Sequence, residues 1–139
     1  MNVVVDTSVW SLALRRRRVS AAAEARELAE LVREGRAVVI GPVRQELLSG
    51  ISDTRQFEAV REALRAFPDL SLVAEDYETA ATFFNQCRAN GIQGSNTDFL
   101  IVAAAARHKL GVLTTDADFV RFARWLPLAL HAPRASLGA

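Results

Sequence analysis

The sequence has little from which to build a thiolate–imidazole metal centre. It has one cysteine, Cys87, and two histidines, His108 and His131, in 139 residues. A lone cysteine forms no internal disulfide, and the histidines lack metal-ligand spacing, so nothing suggests zinc. Cys87 falls inside a helical pattern, where a free cysteine behaves as a small core residue rather than a nucleophile. A reducing, cytoplasmic setting is therefore expected. No apolar run approaches the roughly 18 residues of a membrane span, and no charged-then-apolar leader precedes Asp6. No repeat, low-complexity tract or linker is visible. Charge of a dominant sign is missing too, with Lys+Arg 17 against Asp+Glu 16 and a net of +1. That sum neither demands nor excludes a nucleic-acid partner, and the distribution matters more. Arg15, Arg16, Arg17 and Arg18 form one basic run, and Arg33, Arg36 and Arg44 follow soon after.

What is present reads as a soluble globular chain, 50% hydrophobic and 24% charged, long enough for one domain over residues 1–139 with its own core. Residues 3–5 (VVV), 37–40 (AVVI), 70–73 (LSLV), 111–115 (GVLTT) and 126–130 (LPLAL) read as strands. Helical patterns fill 7–14, 21–33, 42–49, 55–66, 76–90 and 97–108, and a helix of roughly ten residues follows Asp116. The 97–108 segment is apolar enough to lie deep in the core. Strands separated by helices imply an α/β fold with a mainly parallel sheet of four to five strands and helices on both faces. In such sheets ligands bind outside the carboxyl ends of the strands.

Asp6 and Asp116 sit at those ends. Asp98 opens the apolar helix. Glu46 lies in the helix after the second strand, beside Val43, Leu47 and Gly50, flanking its buried stripe. Carboxylates forced together repel unless some are protonated or a cation sits among them. Oxygen-only ligands suit Mg²⁺ or Mn²⁺. Each acid also has a plainer role. Asp6 and Asp116 can cap the helices that follow them, Ser95-Asn96-Thr97-Asp98 matches a capping box, and Glu46 can be a solvated helix flank. Caps leave Glu46 unexplained if its flank is half-buried.

The segments "VVVDTSVWSLALR", "GPVRQELLSG" and "TDFLIVAAAARHKLGVLTTDADF" resemble, in order and spacing, the blocks of PIN-domain proteins of the VapC toxin group. The resemblance covers nearly the whole chain. It implies a three-layer α/β/α sandwich and a Mg²⁺- or Mn²⁺-dependent ribonuclease, the toxin of a type II toxin–antitoxin pair. By motif position, Asp6, Glu46, Asp98 and Asp116 form its acidic site, and Asp118 fills the last block's second acid. The third block departs from the more common D-A-L-I-A-A, with Phe99 where an alanine is usual.

The metal such a site implies would generate hydroxide from bound water and offset charge on the scissile phosphate. Asp6 and Asp116 are the acids assigned to direct metal contact, and a carboxylate such as Asp98 would orient the water. Thr7, Ser8 and Thr115 are placed to hydrogen-bond the carboxylates, or serve as turn and cap hydroxyls. Arg15 to Arg18 and Arg44 are candidates to bind the RNA around an acidic pocket; the run also reads as a solvated loop or as facing an acidic partner. The resemblance further implies a VapB-like antitoxin and a homodimer. Trp10 reads equally as core or interface. Three rivals remain. A haloacid-dehalogenase-type phosphatase needs a second Asp where Ser8 stands. A receiver-like module needs acids where Met1 and Asn2 stand, and a lysine where Thr114 and Thr115 stand. A non-catalytic protein-binding scaffold is the third.

Overall fold

Three valines place the first strand at the centre of the sheet. The structure, a computed structural model, describes residues 1–15 and 22–135. Strand β1 (Val3–Val5) is buried along its whole length, as a strand covered on both faces must be. It pairs in parallel with β2 (Ala37–Val38) on one side and β3 (Gly111–Leu113) on the other, in the order β2-β1-β3. The helices are α1 (Thr7–Leu14), α2 (Ala23–Arg33), α3 (Gly41–Leu48), α4 (Thr54–Arg65), α5 (Ala74–Ala89), α6 (Asn96–His108) and α7 (Asp118–Phe122). Parallel neighbours need crossover connections, so the strands' carboxyl ends share one edge. The architecture is the expected α/β sandwich. Among the described residues no helix is long and apolar enough to cross a membrane.

Helix α6 is buried from Phe99 through Ala105, on every side, which is why its sequence shows no polar stripe. Trp10 is core: its indole Nε1 donates to the Val5 carbonyl at 3.1 Å, and its ring lies 4.8 Å from that of Phe67. Cys87 is also fully buried, and burial pushes its thiol pKa up, away from nucleophilic use.

The sheet has three strands, not four or five. The segment at 70–73 meets the sheet only through a bridge between Val39 and Asp69. Side chains have taken its backbone groups: the Ser71 carbonyl accepts from Arg107 at 3.0 Å, and the Val73 N–H donates to Asp76 at 2.9 Å. The 126–130 segment touches β3 only where Leu130 bridges Val112. Pro127 has no N–H to offer a ladder, and the Leu128 N–H is spent on the Leu126 carbonyl at 2.8 Å. Strand β3 stops at Leu113 rather than 115 because Thr115 N–H turns to the Ser8 hydroxyl, at 3.1 Å. Helix α7 has five residues rather than about ten. It tightens into i→i+3 turns at Arg124 and Trp125 ahead of Pro127, whose ring disfavours helix in the residue before it.

Two buried acids hold the elements together. Asp76, 2% exposed, receives two hydrogen bonds from the Arg107 guanidinium, at 2.7 and 2.9 Å, tying α5 to α6. Glu27, also 2% exposed, accepts from His131 Nε2 at 2.7 Å and from the Arg134 backbone at 3.0 Å, strapping residues 131–134 onto α2. Neither was evident from the sequence, where both look like ordinary helix-surface acids.

The Arg107 guanidinium beside Asp76 holds that carboxyl below its ordinary value. Such an acid contributes stability above its unfolded pKa, lost as pH falls through its folded one. Arg107→Leu strands a buried charge and is expected to cost about 3 kcal/mol in urea unfolding at pH 7. Arg65→Ala, which breaks an exposed ion pair with Glu62, is expected to cost under about 0.5 kcal/mol. Equal costs would refute the distinction.

Candidate active site

The register of the sheet builds the site. Val5 lies opposite Leu113, so the next residues along, Asp6 and Thr114, emerge side by side at the carboxyl edge. Asp6 is 4% exposed. Its Oδ2 accepts from the Ser8 hydroxyl at 2.7 Å and from the Thr114 hydroxyl at 2.8 Å. Each hydroxyl in turn accepts a backbone N–H: Thr115 to Ser8 at 3.1 Å and Asp116 to Thr114 at 2.9 Å. Those amides point both hydroxyl protons at Asp6. Asp6 occupies the position before α1, yet its side chain makes no capping hydrogen bond, so helix capping does not account for it. No ion pair reaches it among the described residues. Burial raises its pKa, against the pull of the two hydroxyls.

Asp98 and Asp116 face the same region. The Asp98 carboxyl is pushed up to about 6, first by burial, with the negative charges of Asp6 and Asp116 adding to the rise. Asp98 also closes the capping box of α6: its Oδ2 accepts the Ser95 N–H at 2.9 Å, and its own N–H donates to the Ser95 hydroxyl at 3.1 Å. Asp116 Oδ1 accepts the Asp118 N–H at 2.9 Å, which shapes the turn into α7. The plainer roles therefore hold for Asp98 and Asp116 alongside their mutual proximity.

The other candidates fall elsewhere. Glu46 is exposed on α3, not half-buried; with that, the argument that a helix flank could not explain it falls. Asp118 pairs with Arg121 on the surface. Thr7 has a buried hydroxyl with no hydrogen-bond partner among the described residues, whereas Thr115 acts through its backbone. Arg44 pairs with Asp69 at 2.7 Å. Arg15 is exposed, and Arg16, Arg17 and Arg18 lie outside the described residues. Thr114 was not singled out as a site residue. The signal for it was the Thr-Thr doublet just after β3, whose successive side chains leave on opposite faces, so that one hydroxyl emerges on the side of Asp6.

Among the described residues no three His, Cys, Asp or Glu side chains stand close enough together to grip one ion. The chemistry of the donors nevertheless fits a hard divalent cation. They are all oxygen, Asp6 and Asp116 lie near enough for their charges to raise the Asp98 pKa, and among the described residues none of these three acids makes an ion pair.

A family model described as the PIN domain matches residues 3–124, a span holding every acid discussed above. No curated protein is similar enough in sequence to match. Among solved structures, FitAcB from Neisseria gonorrhoeae is similar with a TM-score of 0.70 and 19% identity, over 94% of this chain and 97% of that one. VapBC2 from Rickettsia felis, solved bound to a DNA fragment from their promoter, gives 0.68 and 20%, over 94% and 98%. At such identities the likeness speaks to fold.

The raised Asp98 carboxyl has a stability signature. Its folded pKa of about 6 lies above the ordinary 3.8, so its contribution is full below the lower value and is lost as pH rises through the higher one. In metal-free protein the thermal midpoint should fall across that window, and Asp98→Asn should flatten the fall. At pH 7, Mn²⁺ should raise the midpoint of the wild type by mass action and leave Asp6→Asn unmoved. Thermal scans with a chelator control decide both.

Proposed function

This chain belongs to the PIN-domain family, and from that premise we propose that it is a divalent-metal-dependent endoribonuclease, the toxin of a toxin–antitoxin pair. One observation carries the reading: Asp6 is buried at the carboxyl edge of the sheet with no ion-pair partner among the described residues, held by neutral hydroxyls, and its charge and that of Asp116 raise the pKa of Asp98. A scaffold gains nothing from that arrangement, since an uncompensated buried charge is destabilising.

Asp6, Asp98 and Asp116 would hold the ion; Glu46, exposed on α3, enters this reading by its motif position alone. Bound Mg²⁺ or Mn²⁺ supplies hydroxide near neutral pH and offsets the growing charge of the phosphate. The chain's own part is positional. Ser8 and Thr114 fix the Asp6 carboxylate in one orientation. The Ser95 capping bonds fix one Asp98 oxygen and leave the other to orient a water. The backbone bond from Asp118 holds Asp116 at the mouth of the site. Burial keeps these groups poorly hydrated, which strengthens every charge interaction among them.

The toxin reading draws on the VapC-like blocks in the sequence and on the fold shared with FitAcB and VapBC2. It brings with it a VapB-like antitoxin and a homodimer. Exposed apolar side chains such as Tyr77 and Val73 by α5 are surface that a second chain would cover.

The test is cleavage of total cellular RNA with Mn²⁺ or Mg²⁺, the new ends mapped by sequencing. Discrete ends are expected from the wild type and from neither Asp98→Asn nor a chelated sample. Ser8→Ala, which loosens Asp6 without removing a ligand, is expected to lower the rate about 10- to 100-fold. Ends that persist in Asp98→Asn, or no ends and no bound Mn²⁺, would sink the nuclease reading.

A further inference from the structure

We infer that the groove beside Asp116, walled by Val112, Val120, Leu130 and Pro133, is a nucleobase subsite for the base flanking the scissile phosphate of single-stranded RNA. This rests on the nuclease reading. The groove encloses about 320 Å³, and its lining includes Thr114, Thr115 and Asp116. Thr114 is the residue whose hydroxyl holds Asp6. A ligand in the groove therefore abuts the acid centre.

The walls suit a flat, neutral ring. Val120 is 54% and Leu130 40% exposed, aliphatic surface against which a base can pack, as extruded bases pack between aromatic and apolar side chains. Glu24 and Asp116 both line the groove. Two carboxylates repel a phosphate or an acidic peptide, but a carboxylate accepts N–H groups from a base edge, and Thr115 adds a hydroxyl able to donate or accept. Charge thus favours the base over the backbone inside the groove. The backbone has cations outside it. Arg124 follows Val120 by about one helical turn, is exposed, and makes no ion pair among the described residues.

The wall is also fixed in place. Val112 N–H donates to the Ala129 carbonyl at 2.9 Å, and His131 N–H to that of Val112 at 2.8 Å. Beyond this clip, buried Glu27 binds His131 and Arg134, and Arg134 reaches on to Glu34 at 2.6 Å. The strap that carries Pro133 is thereby anchored to α2 at one side and to β3 at the other. A recognition wall held this way selects by shape without ordering a loop on binding.

The experiment uses the full chain with Mn²⁺ and a set of 8-nucleotide RNAs spanning a mapped cut, each with one base removed to leave an abasic ribose. Single-turnover rates are read for the wild type, Val120→Asp and Leu130→Ser, both at exposed positions. One position next to the cut should lose about tenfold in rate when its base is removed, the scale of one lost contact in an apolar pocket. In both variants the intact RNA should itself slow by about tenfold, base removal at that position should cost nothing further, and the other positions should keep their wild-type ratio of abasic to intact rate. Rates that ignore base removal everywhere, or a penalty unchanged in the variants, would overturn the subsite and leave the nuclease standing; a protein side chain as the groove's true occupant gives this outcome. Failure of the wild type to cut any RNA would overturn both.

Discussion

A carboxylate buried at the end of a strand, with no cation beside it among the described residues, is the constraint around which this edge of the molecule is arranged. Removing a charge from water is expensive, and Asp6 is given only neutral donors in return. Those donors come from two elements far apart in sequence, Ser8 on α1 and Thr114 after β3. They meet because three parallel strands keep one register. The same demand truncates β3, since the amides of Thr115 and Asp116 leave the ladder to orient the two hydroxyls. Sheet geometry and site geometry are thus one set of hydrogen bonds.

The molecule handles its other buried acids in the opposite way. Asp76 is gripped by Arg107, and Glu27 by His131 and Arg134; the pKa of each is lowered. Asp6 and Asp98 have theirs raised, by burial and, for Asp98, by other acids. Opposite directions in one small protein separate acids that hold the fold from acids that are held by it. Perturbation of the second kind marks a functional site more specifically than burial alone.

Much of this was legible in the sequence, and for identifiable reasons. The run Val3 to Val5 ending in Asp6 fixes a strand and an edge at once, and the residues of α1 and α6 follow from uninterrupted local patterns. The positions of Asp6, Asp98 and Asp116 follow from the rule that parallel sheets present one edge to ligands. The losses were tertiary. Strand-like apolar alternation at 70–73 and 126–130 was overridden by side chains that bind the backbone and by Pro127. A helical wheel places Glu46 beside Val43 and Leu47 and so on a half-buried flank, but a wheel does not show what covers the flank, and among the described residues Glu46 is exposed. Glu27 and Asp76 were invisible because their partners lie about a hundred and about thirty residues further along the chain.

Charge balance links the acid centre to its surroundings. Three carboxylates carry three negative charges when ionised, and one divalent ion offsets two of them. A polyanion approaching such a centre still meets a net negative field, which low local dielectric strengthens. Attraction must come from beyond the acids. Arg44 is committed to Asp69, so its charge is already offset, and Arg121 pairs with Asp118. Arg124, one helical turn beyond Val120, is exposed and makes no ion pair among the described residues. If RNA binds beside it, its bases lie over Val120 and Leu130 while its phosphates pass between Arg124 and the acids. The acidic pocket then helps to orient the strand, because it repels phosphate and leaves the base as the group that enters the groove.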